Sequence, residues 1–274
     1  MASHLRIHDL ATGQSRTVLS CDMRIEAPNW SREDALIVNG EGRLWRVPLA
    51  APALQPVETD FATRLNNDHG LSPDGTLLAI SDATEDGRSA IYLLPSAGGT
   101  PRRVTPKSPS WWHGWSPDGN RIAYAAARDG GPVVVATCAL DGTDERLLTE
   151  GFDHCDGPDY TPDGKWLWFN GETGGRVCLW RMRPDGTGLQ RMSGDERVHW
   201  FPHPSPDGRH VLYLAFPPGT VGHPRDREVE LRLMPAEGGA PQVQERIWGG
   251  QGSINVPCWA PDSRGFAYVC WDRP

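Results

Sequence analysis

The tetrapeptide Ser116-Pro117-Asp118-Gly119 returns along the chain as Ser72-Pro73-Asp74-Gly75, Thr161-Pro162-Asp163-Gly164 and Ser205-Pro206-Asp207-Gly208, with degenerate copies at Ser31-Arg32-Glu33-Asp34 and Ala260-Pro261-Asp262-Ser263. The intervals between copies are 41, 44, 45, 44 and 55 residues, a period that belongs to propeller blades or helical arrays. Local chemistry separates the two. Proline presets the second position of a type I turn, Asp suits the third, and Gly takes the left-handed position that follows, so each copy is a hairpin turn. Apolar, β-branched and aromatic runs come next, among them Leu77 to Ile80, Ile122 to Ala125, Trp166 to Phe169, Val211 to Leu214 and Phe266 to Val269, and these read as strands. A second turn follows at Gly98-Gly99, Asp141-Gly142, Asp185-Gly186 and Gly238-Gly239. Four short strands and two tight turns per repeat describe one propeller blade.

The repeat phase explains both ends. His4 to Leu10 and Ser15 to Ser20 resemble the third and fourth strands of a blade, and Ile254 to Trp259 and Phe266 to Trp271 supply its first two. Pairing them closes a ring and removes the exposed edges of an open array. The expectation is therefore an all-β chain, one domain over residues 1–274, forming a six-bladed β-propeller with four antiparallel strands per blade and the last blade closed by the N- and C-terminal strands. The other blades span about 24–60, 64–106, 110–150, 154–193 and 198–248. The extra length before the last box falls in the loop 216–227.

Composition narrows the function classes. A net charge of −8 without charge blocks argues against nucleic acid as partner. The N-terminal stretch lacks the apolar core of a secretory signal and no later segment approaches a membrane span, so a soluble, cytoplasmic protein is expected. Six scattered cysteines form no C-x-x-C pair and read as small buried hydrophobes. No G-x-S-x-G elbow, H-E-x-x-H, P-loop or dinucleotide fingerprint occurs.

The box, with an aromatic before it at Trp30, Trp115 and Trp259, resembles that of the TolB-like (WD-repeat-like) six-bladed β-propeller superfamily, over nearly the whole chain. More distantly, the chain resembles the oligogalacturonate lyase propellers, which hold a divalent metal with histidines at the channel mouth. That second resemblance is one of residue type and location.

Five of nine histidines, His69, His113, His154, His199 and His203, fall just before a box, on the inter-blade loops or first strands that converge on the central channel. The inserted loop brings His223, Arg225 and Arg227 to the same face, along with Asn66, Asp68, Asp156, Gln251, Asn255 and Glu26. One reading is a divalent metal (Mn, Ca, Zn, Ni or Fe) held by His199, His203 and His154. His113 or Arg225 would act as base, and His69, Asp156, Trp112, Trp200, Gln251, Asn255 and His223 would bind a small polar or carbohydrate ligand such as a uronate. Trp111 is a further candidate for the channel mouth. That reading makes the chain a metal-dependent carbohydrate-active lyase or hydrolase. The alternative is a non-catalytic scaffold that binds a ligand or a protein partner on the same face.

Overall fold

A computed structural model describes residues 1–273. Strands and turns account for its regular structure, and no helix occurs among the described residues. Five sheets of four consecutive antiparallel strands are followed by a sixth, in which Gly265–Trp271 pairs with Ser3–Asp9, and Ser3–Asp9 with Gln14–Cys21. Blades one to five run over residues 25–57, 65–103, 110–147, 154–191 and 198–249, close to the ranges expected from the repeat. The terminal strands pair in unbroken register from Ser3 opposite Trp271 to Asp9 opposite Gly265, with Leu5 and Val269 fully buried at the seam.

The turn boxes are built as their chemistry predicts. At the third blade, the Ser116 hydroxyl donates to Asp118 Oδ1 at 2.6 Å and accepts from the Arg121 N–H at 2.9 Å. Gly119 sits at φ 71°. Ser72, Thr161 and Ser205 repeat the contact to their own Asp. In the degenerate copies, Asp34 and Ser263 hold the left-handed position at φ 50° and 60°. Most aromatics of the repeat are core. Trp112 packs on the blade before it, so closely that a Cβ added at Gly70 would lie 2.1 Å from its ring.

One expected strand differs. Residues 253–259 occupy the inner position of blade six but fold as turns, joined to Gly265–Trp271 through Val269 N to Ser253 O at 3.1 Å, Ala267 N to Cys258 O at 2.8 Å and a bridge at Trp259. Pro257 lacks the N–H a ladder needs, as do Pro28, Pro158 and Pro202 within inner strands that form; blade six adds a turn, with Ser253 N donating to Gly250 O at 3.0 Å. Asn255 Oδ1 also takes the Gly252 N–H at 2.6 Å, turning the backbone away from a strand.

The inner strands of blades one to five each carry a register shift, at Glu26/Asn29, Leu65/His69, Trp112/Gly114, Asp156/Asp159 and Trp200/His203. Three contain an X-Pro pair, Ala27-Pro28, Gly157-Pro158 and Phe201-Pro202, whose first residues stand at φ 53°, 60° and 55°. Proline disfavours the right-handed helical region in the residue before it and cannot donate to the ladder. The strand therefore bulges and re-aims its side chains at the channel.

Near the axis, the blades are tied by single polar contacts. His203 is fully buried, with Nδ1 3.1 Å from Asp159 Oδ2 of blade four and Nε2 donating to the Ile254 carbonyl of blade six at 2.6 Å. Replacing His203 by Ala leaves the buried Asp159 carboxylate without its partner and is expected to cost about 3 kcal/mol in urea denaturation. Ser116→Ala, which loses the neutral hydroxyl contacts of one turn, is expected to cost about 1 kcal/mol. Equal losses from the two variants would refute this assignment of the ties.

Candidate functional site

The inner strands run from one mouth of the channel to the other. Among the turn boxes, a cavity of about 480 Å³ is lined by Pro73, Pro162, Pro206 and Pro261. Of its polar groups, Asn29 and Asp159 are engaged across blades, and Ser72 and Ser205 are held in their own turns. Chemistry gathers instead at the opposite mouth, in a smaller cavity of about 240 Å³ lined from blades two to six and the inserted loop.

Asp156 is its centre. The bulge at Gly157 turns this carboxylate into the channel, where Oδ1 accepts the Gly157 N–H at 2.8 Å and lies 2.8 Å from His113 Nε2. Oδ2 is 3.8 Å from His154 Nε2 and 3.7 Å from His223 Nε2. Burial opposes the charged carboxylate, but His113 first, then His154 and His223, outweigh it and hold Asp156 well below the ordinary carboxylate value. Burial likewise opposes the His113 imidazolium, yet Asp156 and then Asp68 raise its pKa to about 9. His154 is raised the same way, Asp156 overcoming desolvation. His223 is lowered, because burial and the neighbouring histidines exceed the pull of Asp156. Asp68 is pushed up to about 7, by burial foremost, with His113 opposing and Asp156 adding to the rise.

The inserted loop holds His223 in place. Its ring packs 4.3 Å from Trp200 and 5.2 Å from Phe201, centroid to centroid. Beyond it, the Pro224 carbonyl accepts from Gln251 N at 3.2 Å. Arg225 clasps Glu26 of blade one through Nε to Oε1 at 2.6 Å and Nη2 to Oε2 at 3.1 Å. Arg24 Nη2 meets Asp226 Oδ1 at 2.6 Å. The loop is a strap from blade five, over blade six, to blade one.

Of the residues expected at the site, His113, His154, Asp156, His223, Gln251 and Asn255 line this cavity, as does Trp111. Trp200 stands behind it, against His154 and His223. The other expected residues lie elsewhere. His203 is the inter-blade tie described above. His69 is fully buried, with Nε2 3.3 Å from the Ile37 carbonyl, and burial lowers its pKa to about 4. Trp112 is in the core. Arg225 is a guanidinium forked on a carboxylate, which gives it no capacity to take a proton. His199 sits between Ser193 Oγ at 2.7 Å and Asp195 Oδ1 at 2.9 Å, with its pKa lowered to about 4 by burial against the pull of Asp195. That Ser–His–Asp set is architectural: Ser193 Oγ accepts the Leu179 N–H at 2.8 Å, as the hydroxyls of Thr105 and Thr149 accept those of Ile91 and Val135 in blades two and three.

Two of the three histidines expected to ligate a metal are therefore held away from the third. Among the described residues, no three His, Cys, Asp or Glu side chains are placed to share an ion. Val133 and Phe201 are the lining residues that sequence reasoning missed, and only Phe201 carries a signal. Its signal is the X-Pro pair that recurs four residues before a box at Ala27, Gly157, Phe201 and Val256.

The site makes a pH prediction. Asp68 has a folded pKa of about 7, above its ordinary 3.8. The folded protein therefore holds this proton where the unfolded chain has lost it, and stability falls as pH rises between the two values. Relative to Asp68→Asn, the wild type is expected to lose stability over that window at up to about 1 kcal/mol per pH unit. Urea denaturation across the range tests this, and parallel profiles would refute it.

No protein-family profile matches the chain. An uncharacterised protein of Agrobacterium fabrum is 45% identical over 271 residues, covering 98% of this chain and 92% of that one. The solved structure of a candidate TolB from Agrobacterium tumefaciens superposes with a TM-score of 0.97 at 44% identity, over 100% of this chain and 99% of that one. TolB from Acinetobacter baumannii shares the fold at a TM-score of 0.69 and 17% identity, over 91% of this chain and 64% of that one. With its sheet order and turn boxes, these likenesses show that the chain belongs to the TolB-like family of six-bladed β-propellers.

Proposed function

We propose that this chain is a non-catalytic binding propeller that takes a small polar ligand, free or presented by a protein partner, in the cavity between the inter-blade loops. One observation carries the reading: the two groups that the sequence offers as a base, His113 and Arg225, are each bonded to a carboxylate. Asp156 faces three imidazoles, and the Arg225 guanidinium is forked on Glu26. A base must be free to take a proton from a substrate within hydrogen-bond reach, whereas a binding site gains from groups fixed before the ligand arrives. The rings of Trp111 and Phe201 beside Gln251, Asn66 and Asn255 give the apolar wall and few polar anchors of a small-ligand cavity. The likeness to the candidate TolB of Agrobacterium tumefaciens supports the same reading.

A thermal-shift screen of small polar compounds is expected to yield binders that are recovered unchanged by mass spectrometry. Trp111→Ala, with its fold intact, is expected to weaken them about tenfold, the effect of removing about 1.4 kcal/mol of contact. Turnover of a bound compound would overturn the non-catalytic assignment, and undiminished binding by the variant would overturn the location. Melts with and without chelator decide the metal question. A stoichiometric ion lost on Asp156→Asn would favour metal-dependent lyase or hydrolase chemistry on a carbohydrate instead.

A further inference from the structure

We propose that the cavity recognises a small organic cation, an alkylammonium group, through the carboxylate of Asp68. The inference rests on the reading above and adds the charge of the ligand to it. The cavity wall contains two carboxylates and three imidazoles but no lysine or arginine. The charge of Asp156 is met by His113 at 2.8 Å. Asp68 has no such partner. It is 7% exposed, its Oδ2 accepts one hydrogen bond, from Asn66 Nδ2 at 2.7 Å, and among the described residues no donor meets Oδ1. The nearest counter-charge, the His113 imidazolium, is bonded to Asp156 and offsets the burial of Asp68 only in part; a buried carboxylate met so incompletely is costly, and a cation in the cavity lowers that cost.

Two further observations agree in sign. An anionic ligand such as a uronate needs a guanidinium or ammonium beside it, and the one guanidinium brought close by the strap, that of Arg225, is committed to Glu26. The rings of Trp111 and Phe201 line the same space, and aromatic faces attract cations and repel anions. At about 240 Å³ the cavity holds about eight water volumes, room for a short alkyl chain with one charged head. That chemistry is offered by a free amine or by a lysine side chain on a protein.

Calorimetry on the full chain at about pH 8, where amines are charged, separates the cases with three molecules of one size: n-butylammonium, n-butanol and n-butyrate. Butylammonium is expected to bind about tenfold or more tighter than butanol, with butyrate undetected, and Asp68→Asn is expected to abolish that preference. Should Asp68→Asn fail to fold, the ¹³C shift of the Asp68 carboxyl on adding butylammonium gives the same answer in the wild type. Butyrate binding in place of butylammonium would overturn the ammonium inference and leave the cavity reading standing. Binding by none of the three, nor by any compound of the thermal-shift screen, would overturn both. With butylammonium bound, equal affinity for Nα-acetyl-lysine methylamide assigns the source to a protein side chain, and its exclusion assigns a free amine.

Discussion

A propeller exists only as a closed ring, and here every junction between blades is fastened near the axis by a polar contact. Asn29 joins blade one to blade two through the Leu71 N–H and to blade six through the Pro257 carbonyl. The Trp115 indole bonds the Gly70 carbonyl between blades two and three. His113 and Asp156 join three and four, His203 and Asp159 four and five, and His203 and Ile254 five and six. Hydrophobic packing between blades is non-directional and would tolerate slippage. A buried polar group left unpaired costs more than a satisfied one gains, so each contact penalises a wrong neighbour. The circle thus specifies blade order and spacing where the sheets come closest.

The candidate site is one sector of that circle. His113 and Asp156 tie blades three and four and also line the cavity, so part of the cavity wall is a structural contact. The same residue type serves both ends. His203 is consumed entirely by its ties, whereas His154 and His223 share a carboxylate already satisfied by His113 and remain at the cavity wall.

The fold was legible in the sequence because its signals are local. Pro-Asp-Gly chemistry sets the turns, alternation sets the strands, and the phase of the repeat at both ends implies closure, all within a few residues of each box. The site was legible only as a face. His69, His113 and His203 stand at nearly the same distance before their boxes, yet only His113 reaches the cavity. A shift of one residue sends a strand's side chains to the other side, and the bulges introduce such a shift at a slightly different point in each blade. The X-Pro pairs mark those points for blades one, four and five. Blades two and three bulge without proline, around Asn66 to Asp68 and at His113, and there the direction of a side chain depends on neighbouring blades that sequence spacing does not encode.

The strap adds a thermodynamic consequence to this geometry. Residues 217–226 carry His223 over the cavity and end on Arg24 and Glu26 of blade one, so one wall of the cavity is held by contacts that also bracket blade six, where the chain termini meet. Opening that blade would release the strap, move His223 and dissolve the wall. A ligand that binds only the intact cavity therefore favours the closed ring by mass action, by RT ln(1 + L/Kd), where L is the free ligand concentration. The coupling also runs the other way: whatever loosens the pairing of Ser3–Asp9 with Gly265–Trp271 lowers the fraction of molecules with a formed cavity, and with it the apparent affinity. Closure of the ring and occupancy of the site are on this view one linked equilibrium, set by the same few buried contacts around the axis.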